Sequence, residues 1–395
     1  MAWGTSKGSG LLESEDLQAT RRCLQALGVT VDQDRIIGNR GRLYSPNREL
    51  DCGNSGTTAR LLMGALAGQE LTATLTGDNS LQRRPMSRVT SPLRSLGARF
   101  SGGIECLPVT IHGGHITNQR WVSSVASAQV KTAMMLAAIQ GEGMLIYEEP
   151  HPSRDHTERM MRAMGIQVEE THHPDGRHEV RVSGGQRLEA TDVNVPGDIS
   201  SAAFFMVAAT IVEGSDLIIE HVGLNPSRCG VLDVLLRMGA NIEQLDLREI
   251  SGEPVADLRI QASGLVGTKI GGAEIPRLVD ELPVLAVAAA HADGVTEVGD
   301  AAELKVKESD RIQGSVRIVE GMGVHVETKA DGFVVHGRGT TEMKGFSIDA
   351  TGDHRIAMAA VVAGLSTKGE TVIRGAESIS SSFPHFMTLL EDISG

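Results

Sequence analysis

Residues 53–100 read GNSGTTARLLMGALAGQELTATLTGDNSLQRRPMSRVTSPLRSLGARF, and this stretch decides the fold. A polar turn opens a helix of small apolar residues that closes near Gly68. Strand-like sequence follows. A second helix then ends in a Leu-Gly-apolar step at Gly97 and runs into another strand. A glycine just past the last helical turn suits the left-handed position there, and the residues after it suit a strand.

Both segments recur on either side. The Gly-terminated segment at 93–100 (LRSLGARF) returns as LQALGVTV (24–31), MRAMGIQV (161–168), LLRMGANI (235–242) and EGMGVHV (320–326). Its glycines are Gly28, Gly97, Gly165, Gly239 and Gly323, at intervals of 69, 68, 74 and 84 residues. The tail FPHFMTLLEDISG (383–395) reads as a sixth copy that stops where its strand would begin. The Ala-rich segment returns as SVASAQVKTAMMLAAIQG (124–141), PGDISSAAFFMVAATIVEG (196–214), VDELPVLAVAAAHADG (279–294) and TGDHRIAMAAVVAGLSTKG (351–369). Small or apolar residues nearly all round predict helices buried inside a domain. Six copies of one segment against five of the other place the missing Ala-rich helix before residue 1. Ala2-Trp3-Gly4-Thr5-Ser6 match the end of such a helix, so the chain is expected to begin inside its first unit. The expectation is an α/β (α+β) chain of two domains, 1–196 and 197–395, with three units each and the first unit incomplete.

Bulk composition narrows the function. The 395 residues carry 46 glycines, above the usual share of about 7%, which points to many tight turns. A net charge of −13 argues against general affinity for nucleic acid or anionic membrane. Aromatic residues at 3% argue against base-stacking platforms. Cys23, Cys52, Cys106 and Cys229 match no zinc or redox spacing and read as reduced, structural thiols. No apolar run reaches membrane-spanning length, and the start has no signal-peptide core. A cytoplasmic protein with no nucleic-acid or membrane partner is expected.

The polar turns carry the chemistry. Each Ala-rich helix opens on Ser, Thr, Asp or Asn, and helix N-termini offer free N–H groups and partial positive charge to anions. Gly53–Arg60 lacks the lysine of a P-loop, and its simpler use is a capped tight turn. Arg83-Arg84-Pro85 opens a Gly-terminated helix, with proline suiting its first turn. In Lys305–Arg311, Lys307 and Arg311 are expected on one helix face with Glu308 beside them and Ser309 as a cap. Gly352-Asp353-His354-Arg355 is a second basic turn. In Val279–Pro283, Asp280 reads either as an N-cap or, near arginines, as a base. Together these turns offer arginines that can fork onto carboxylate or phosphate, and two carboxylates for proton transfer.

The motifs LDCGNSGTTARLL, LQRRPM, SAQVK, SRDHTERM, PGDISSAAF, VDELPVLAVAAA, LKVKESDRI and GDHRIAM, in this order, resemble the EPSP synthase family of enolpyruvyl transferases over nearly the whole chain. The resemblance implies two domains of repeated βαβαββ-type units closing on a cleft. It also implies transfer of the enolpyruvyl group from phosphoenolpyruvate to the 5-hydroxyl of shikimate 3-phosphate, without metal or organic cofactor. The place would be the shikimate pathway to chorismate and aromatic amino acids. Carried over by motif, Asp280 is the base at the 5-hydroxyl, and Glu308 exchanges the proton of the methylene carbon. Gly56, Thr57, Arg84, Gln129, Arg311 and Arg355 hold phosphoenolpyruvate. Ser127, Ala128, Gln129, Arg154, Asp280 and Lys307 hold shikimate 3-phosphate, with Ala128 acting through its backbone N–H. The SRDHTE and Gly-Asn-Ser-Gly-Thr forms resemble the glyphosate-tolerant subgroup, although Gly56 has no side chain to crowd that inhibitor. A monomer is expected.

The family's opening Gly-Asp-Lys-Ser-x-x-x-Arg turn is absent here, and Ser381-Ser382-Phe383-Pro384 stands where some relatives place a lysine. These departures carry an alternative, a truncated homologue that folds or binds ligand with little or no turnover. UDP-N-acetylglucosamine enolpyruvyl transferase is disfavoured, because residues 78–84 contain no cysteine and KESDR is not its pattern.

Overall fold

Helices fall where the two recurring segments predict them. The computed structural model describes residues 1–339 and 341–394, so Gly395 of the tail lies outside the described residues. Among these, the helices are α1 (Glu15–Ala26), α2 (Gly56–Ala67), α3 (Ser87–Ser95), α4 (Ala128–Ala138), α5 (His156–Ala163), α6 (Ile199–Ile211), α7 (Gly230–Arg237), α8 (Leu282–Ala290), α9 (Arg311–Gly321), α10 (His354–Gly364) and α11 (Phe386–Ser394). The odd-numbered helices are the tail copy and the Gly-terminated class, and the even-numbered ones are Ala-rich. Gly28, Gly97, Gly165, Gly239 and Gly323 all have φ between +82° and +103°, the left-handed turn that ends α1, α3, α5, α7 and α9.

The chain forms two compact units, Met1–Val195 and Pro196–Gly395. In the first, α2 packs on α4, and a Cβ built on Gly64 would lie 2.1 Å from the Ala133 carbonyl oxygen. Only glycine allows that approach. In the second, α6, α8 and α10 pack on one another, and α8 is buried along its whole length. Burial all round follows from the absence of a polar stripe on these helices.

One sheet pattern repeats. In the first unit, Leu50–Asp51 runs parallel to Thr72–Thr76, which pairs antiparallel with Val109–His112 and that with Arg99–Gly102. Arg120–Val122, Met144–Glu149, His178–Ser183 and Val168–His172 repeat this order. A third copy is completed by Val193–Asn194, which lies parallel to Thr5–Ser9. The Ala-rich helix joins each parallel pair in the two complete copies, as a crossover between parallel strands requires. In the second unit, Lys269–Ile270 and Leu265–Val266 run parallel to Ala292–Val298, followed by Gly332–Arg338 and His325–Lys329. The fold is the expected α/β repeat. The cysteines, distant in sequence, are free, and the buried Cys23 and Cys52 thiols donate to the Asp51 and Leu50 carbonyls.

Candidate functional site

In the second unit, three polar turns converge on one buried arginine. Arg311, 2% exposed, forks onto three carboxylates: Nη1 to Asp280 Oδ1 at 3.1 Å, Nη2 to Glu308 Oε2 at 2.5 Å, and Nε to Asp353 Oδ2 at 2.8 Å. Lys307 Nζ lies 3.4 Å from the same Asp280 oxygen. Arg355 Nη1 donates to the Asp280 carbonyl oxygen at 3.1 Å and lies 3.4 Å from Glu281. The five residues expected here, Asp280, Lys307, Glu308, Arg311 and Arg355, are therefore one cluster.

Local chain geometry differs from the sequence reading in four places. Asp280 is not a helix cap. It lies in the 3-10 turn Val279–Glu281 ahead of α8, which frees its carboxylate for Arg311 and Lys307. Ser309 does not cap α9, because Asp310 takes that role through Gln313 N and the Ser309 hydroxyl bonds Asp353 instead. Lys307 and Arg311 share no helix face, since α9 begins at Arg311 and Lys307 ends the turn Ala302–Val306. Likewise Arg84-Pro85 precedes α3, which begins at Ser87, so Pro85 is not in its first turn.

Asp353 was missed by the sequence reading, although it occupies a capping position in a basic turn. It is fully buried and accepts from Arg311, Ser309 and Arg355 N. Burial opposes its charge, but the Arg311 guanidinium and these hydrogen bonds hold its carboxyl below the usual range. Glu281 shows the reverse balance, with burial raising its carboxyl despite Arg355. His354, half-buried beside Arg355 and Arg311, is pushed down to about 4 by desolvation and by these cations.

The first unit assembles a different set. Gln129, at the start of α4, donates to Thr57 Oγ1 at 2.8 Å and accepts from Arg60 Nη1 at 2.7 Å. Arg84 Nη2 donates to Asn54 Oδ1 at 2.6 Å. A Cβ on Gly56 would meet Arg60 Nη1 at 3.1 Å and Arg84 Nη1 at 3.6 Å, so the missing side chain lets both arginines close in. Arg60, also missed by the sequence reading, is held down to about 10 by burial and by repulsion from Arg88 and Arg84. Its Nε is buried without a hydrogen-bond partner. Gly56, Thr57, Arg84 and Gln129 thus share a locally cationic site whose hydrogen-bond partners are neutral amides, a hydroxyl and a carbonyl. Such a site attracts anions.

Ser127 precedes α4 without a capping side-chain bond, and Ala128 is the helix's first residue. One turn along, the fully buried Lys131 lies 3.1 Å from Glu149 and 2.7 Å from Glu158, and donates to the Ser153 carbonyl at 3.3 Å. Glu149 accepts from Ser153 N and Oγ at 3.0 and 2.7 Å. These bonds tie the turn carrying Arg154 to the α4 start. The chain of charge continues outward: His178 lies 3.0 Å from both Glu149 and Glu170, and Glu170 pairs with Arg162 at 2.6 Å.

The family model described as EPSP synthase (3-phosphoshikimate 1-carboxyvinyltransferase) matches residues 1–390. A 3-phosphoshikimate 1-carboxyvinyltransferase from Geobacter sp. (strain M21) is 47% identical, covering 99% of this chain and 91% of its own length. The enzyme of that name from Pelotomaculum thermopropionicum is 48% identical over 100% of this chain and 91% of its own. The EPSP synthase structure from Acinetobacter baumannii superposes with TM-score 0.90 at 41% identity, covering 99% and 90% of the two chains. The enolpyruvyl transferase NikO from Streptomyces tendae, at 16% identity and TM-score 0.77, shares the fold. By sequence and by fold, this chain belongs to the EPSP synthase family.

Proposed function

We propose that the chain transfers the enolpyruvyl group of phosphoenolpyruvate to the 5-hydroxyl of shikimate 3-phosphate, giving EPSP and phosphate. The observation that carries the reading is Arg311, which holds Asp280 and Glu308 beside each other in a family member. Asp280 takes the proton of the 5-hydroxyl as its oxygen bonds C2 of phosphoenolpyruvate. Glu308 delivers a proton to the methylene carbon, so the double bond becomes a methyl group. In the second half, Glu308 removes a methyl proton, the C2–O bond to phosphate breaks, and Asp280 returns its proton to the leaving phosphate. Addition and elimination balance without an outside reductant or oxidant.

Gly56, Thr57, Arg84, Gln129, Arg311 and Arg355 are the residues assigned to phosphoenolpyruvate. Three of the five N–H groups of Arg311 are taken by carboxylates, which leaves donors for one substrate oxygen or more. Ser127, Ala128, Gln129 and Arg154 bind shikimate 3-phosphate, with Asp280 and Lys307. Glyphosate, another small anion, competes at the arginines, where Gly56 leaves room. The protein works as a cytoplasmic monomer; no helix among the described residues is long and apolar enough to cross a membrane.

Phosphate release by the purified chain tests the reading. Release should require both substrates and fall by about a hundredfold or more in Asp280→Asn, the scale of a lost general base. No release from the wild type with both substrates present, or equal release in Asp280→Asn, would overturn it.

A further inference from the structure

Two clusters outside this site bring three potential metal ligands within 4.8 Å of one another: Glu170, His172 and His178, and His325, Glu327 and His336. The first is excluded by its partners. Both ring nitrogens of His178 face carboxylates, Glu149 and Glu170, at 3.0 Å, and Arg162 holds Glu170. Those hydrogen bonds overcome burial and raise His178 to about 9, so the ring is an imidazolium with no lone pair to give a metal.

The second cluster has a different geometry. It lies on the hairpin of His325–Lys329 and Gly332–Arg338, where His325 and His336 are direct cross-strand partners. Glu327 follows His325 by two residues, so the strand period places it on the same face. Glu327 Oε1 lies 2.8 Å from His336 Nε2 and 3.7 Å from His325 Nε2. Bonds of about 2.1 Å to a tetrahedral zinc ion set its ligand atoms about 3.4 Å apart. The two distances bracket that spacing. Backbone pairing fixes the register, so little side-chain order must be gained on binding. The His325 and Glu327 side chains are 70% and 56% exposed, which leaves the fourth position to water.

We propose that His325, Glu327 and His336 bind one divalent cation of the zinc class and clamp this hairpin. The two imidazole rings and one carboxylate suit zinc rather than magnesium or calcium, which take oxygen ligands. The ion takes the place of the proton in the hydrogen bond between His336 and Glu327, so acid releases it. The ligands lie on a hairpin separate from the turns that carry Asp280, Glu308 and Arg355, and the proposal is independent of the reaction.

Calorimetric titration of the metal-free full-length protein with zinc chloride tests it, beside His325→Ala, Glu327→Gln and the control His172→Ala. Wild type and control should take up an equivalent that His325→Ala and Glu327→Gln bind far more weakly. Loss of a direct ligand should cost no less than the roughly tenfold that loss of a supporting partner costs. Zinc should also raise the unfolding temperature of the wild type more than that of His325→Ala, an exposed change the fold tolerates. Zinc uptake identical in all four proteins, or none by the wild type, would overturn the proposal.

Discussion

At the scale of single residues, Arg311 decides the most. Its planar fork meets three carboxylates along fixed directions, a spread that the compact point charge of lysine does not reproduce. Arg311→Lys should therefore lower kcat/KM by about a hundredfold or more, through misplacement of Asp280 and Glu308. Circular dichroism checks that the variant still folds. Arg311→Met should fare worse, because Asp353 remains buried without its cation, a defect that costs about 3–5 kcal/mol in urea unfolding. Arg60 gives a second prediction. Arg60→Ala removes a half-buried cation from the Gly56–Arg84–Gln129 group, so KM for phosphoenolpyruvate should rise several-fold with smaller change for shikimate 3-phosphate. Steady-state kinetics with each substrate varied in turn reads that difference. Asp280, Glu308 and Arg355 were legible because each sits in a short turn whose charge pattern is unusual. Asp353 and Arg60 were not, since a capping aspartate and an arginine on an apolar helix have ordinary local uses, and only tertiary contact distinguishes them.

At the scale of elements, the repeat was legible because its signals are local. A glycine at a left-handed turn and an all-apolar helix need no knowledge of the rest of the chain. The starts of helices were less legible where several cap-competent residues adjoin. In Ser309-Asp310-Arg311 the aspartate wins the cap, and the serine is left for Asp353. Two glycine substitutions separate the two uses of this residue. Gly239→Ala places a Cβ at φ +92° with the Gly264 carbonyl oxygen 3.6 Å away, so it strains the backbone alone and should cost about 1–2 kcal/mol. Gly64→Ala drives a Cβ to 2.1 Å from the Ala133 carbonyl, and α2 and α4 must part. Its cost should be larger, about 3 kcal/mol, by denaturant unfolding.

At the scale of the whole molecule, charge sets the pH response. His178 is raised from 6.5 to about 9, so its contribution to stability is whole below pH 6.5 and is lost as pH rises through 9. Burial alone would lower it, but the hydrogen bonds of Glu149 and Glu170 prevail. Glu149, whose burial is overcome by His178 and Lys131, is held at about 2, as is Glu170 by His178 and Arg162. Their contributions are whole above pH 4.5 and are lost as pH falls toward 2. The network should thus stabilise most between pH 4.5 and 6.5, and His178→Gln should flatten the decline from pH 6.5 to 9 in urea midpoints. This network was hidden in the sequence because Lys131, Glu149, Glu158, Glu170 and His178 lie on five separate elements, and each looks like an ordinary polar position. The reaction itself is tested most directly by running it in deuterium oxide and reading the enolpyruvyl methylene of the product by proton NMR. Deuterium should enter that methylene in the wild type, because Glu308 delivers a solvent-exchanged proton and removes one from the resulting methyl group. Glu308→Gln should lose product formation while still binding shikimate 3-phosphate; product formed by Glu308→Gln at the wild-type rate, or wild-type product free of deuterium, would contradict the account.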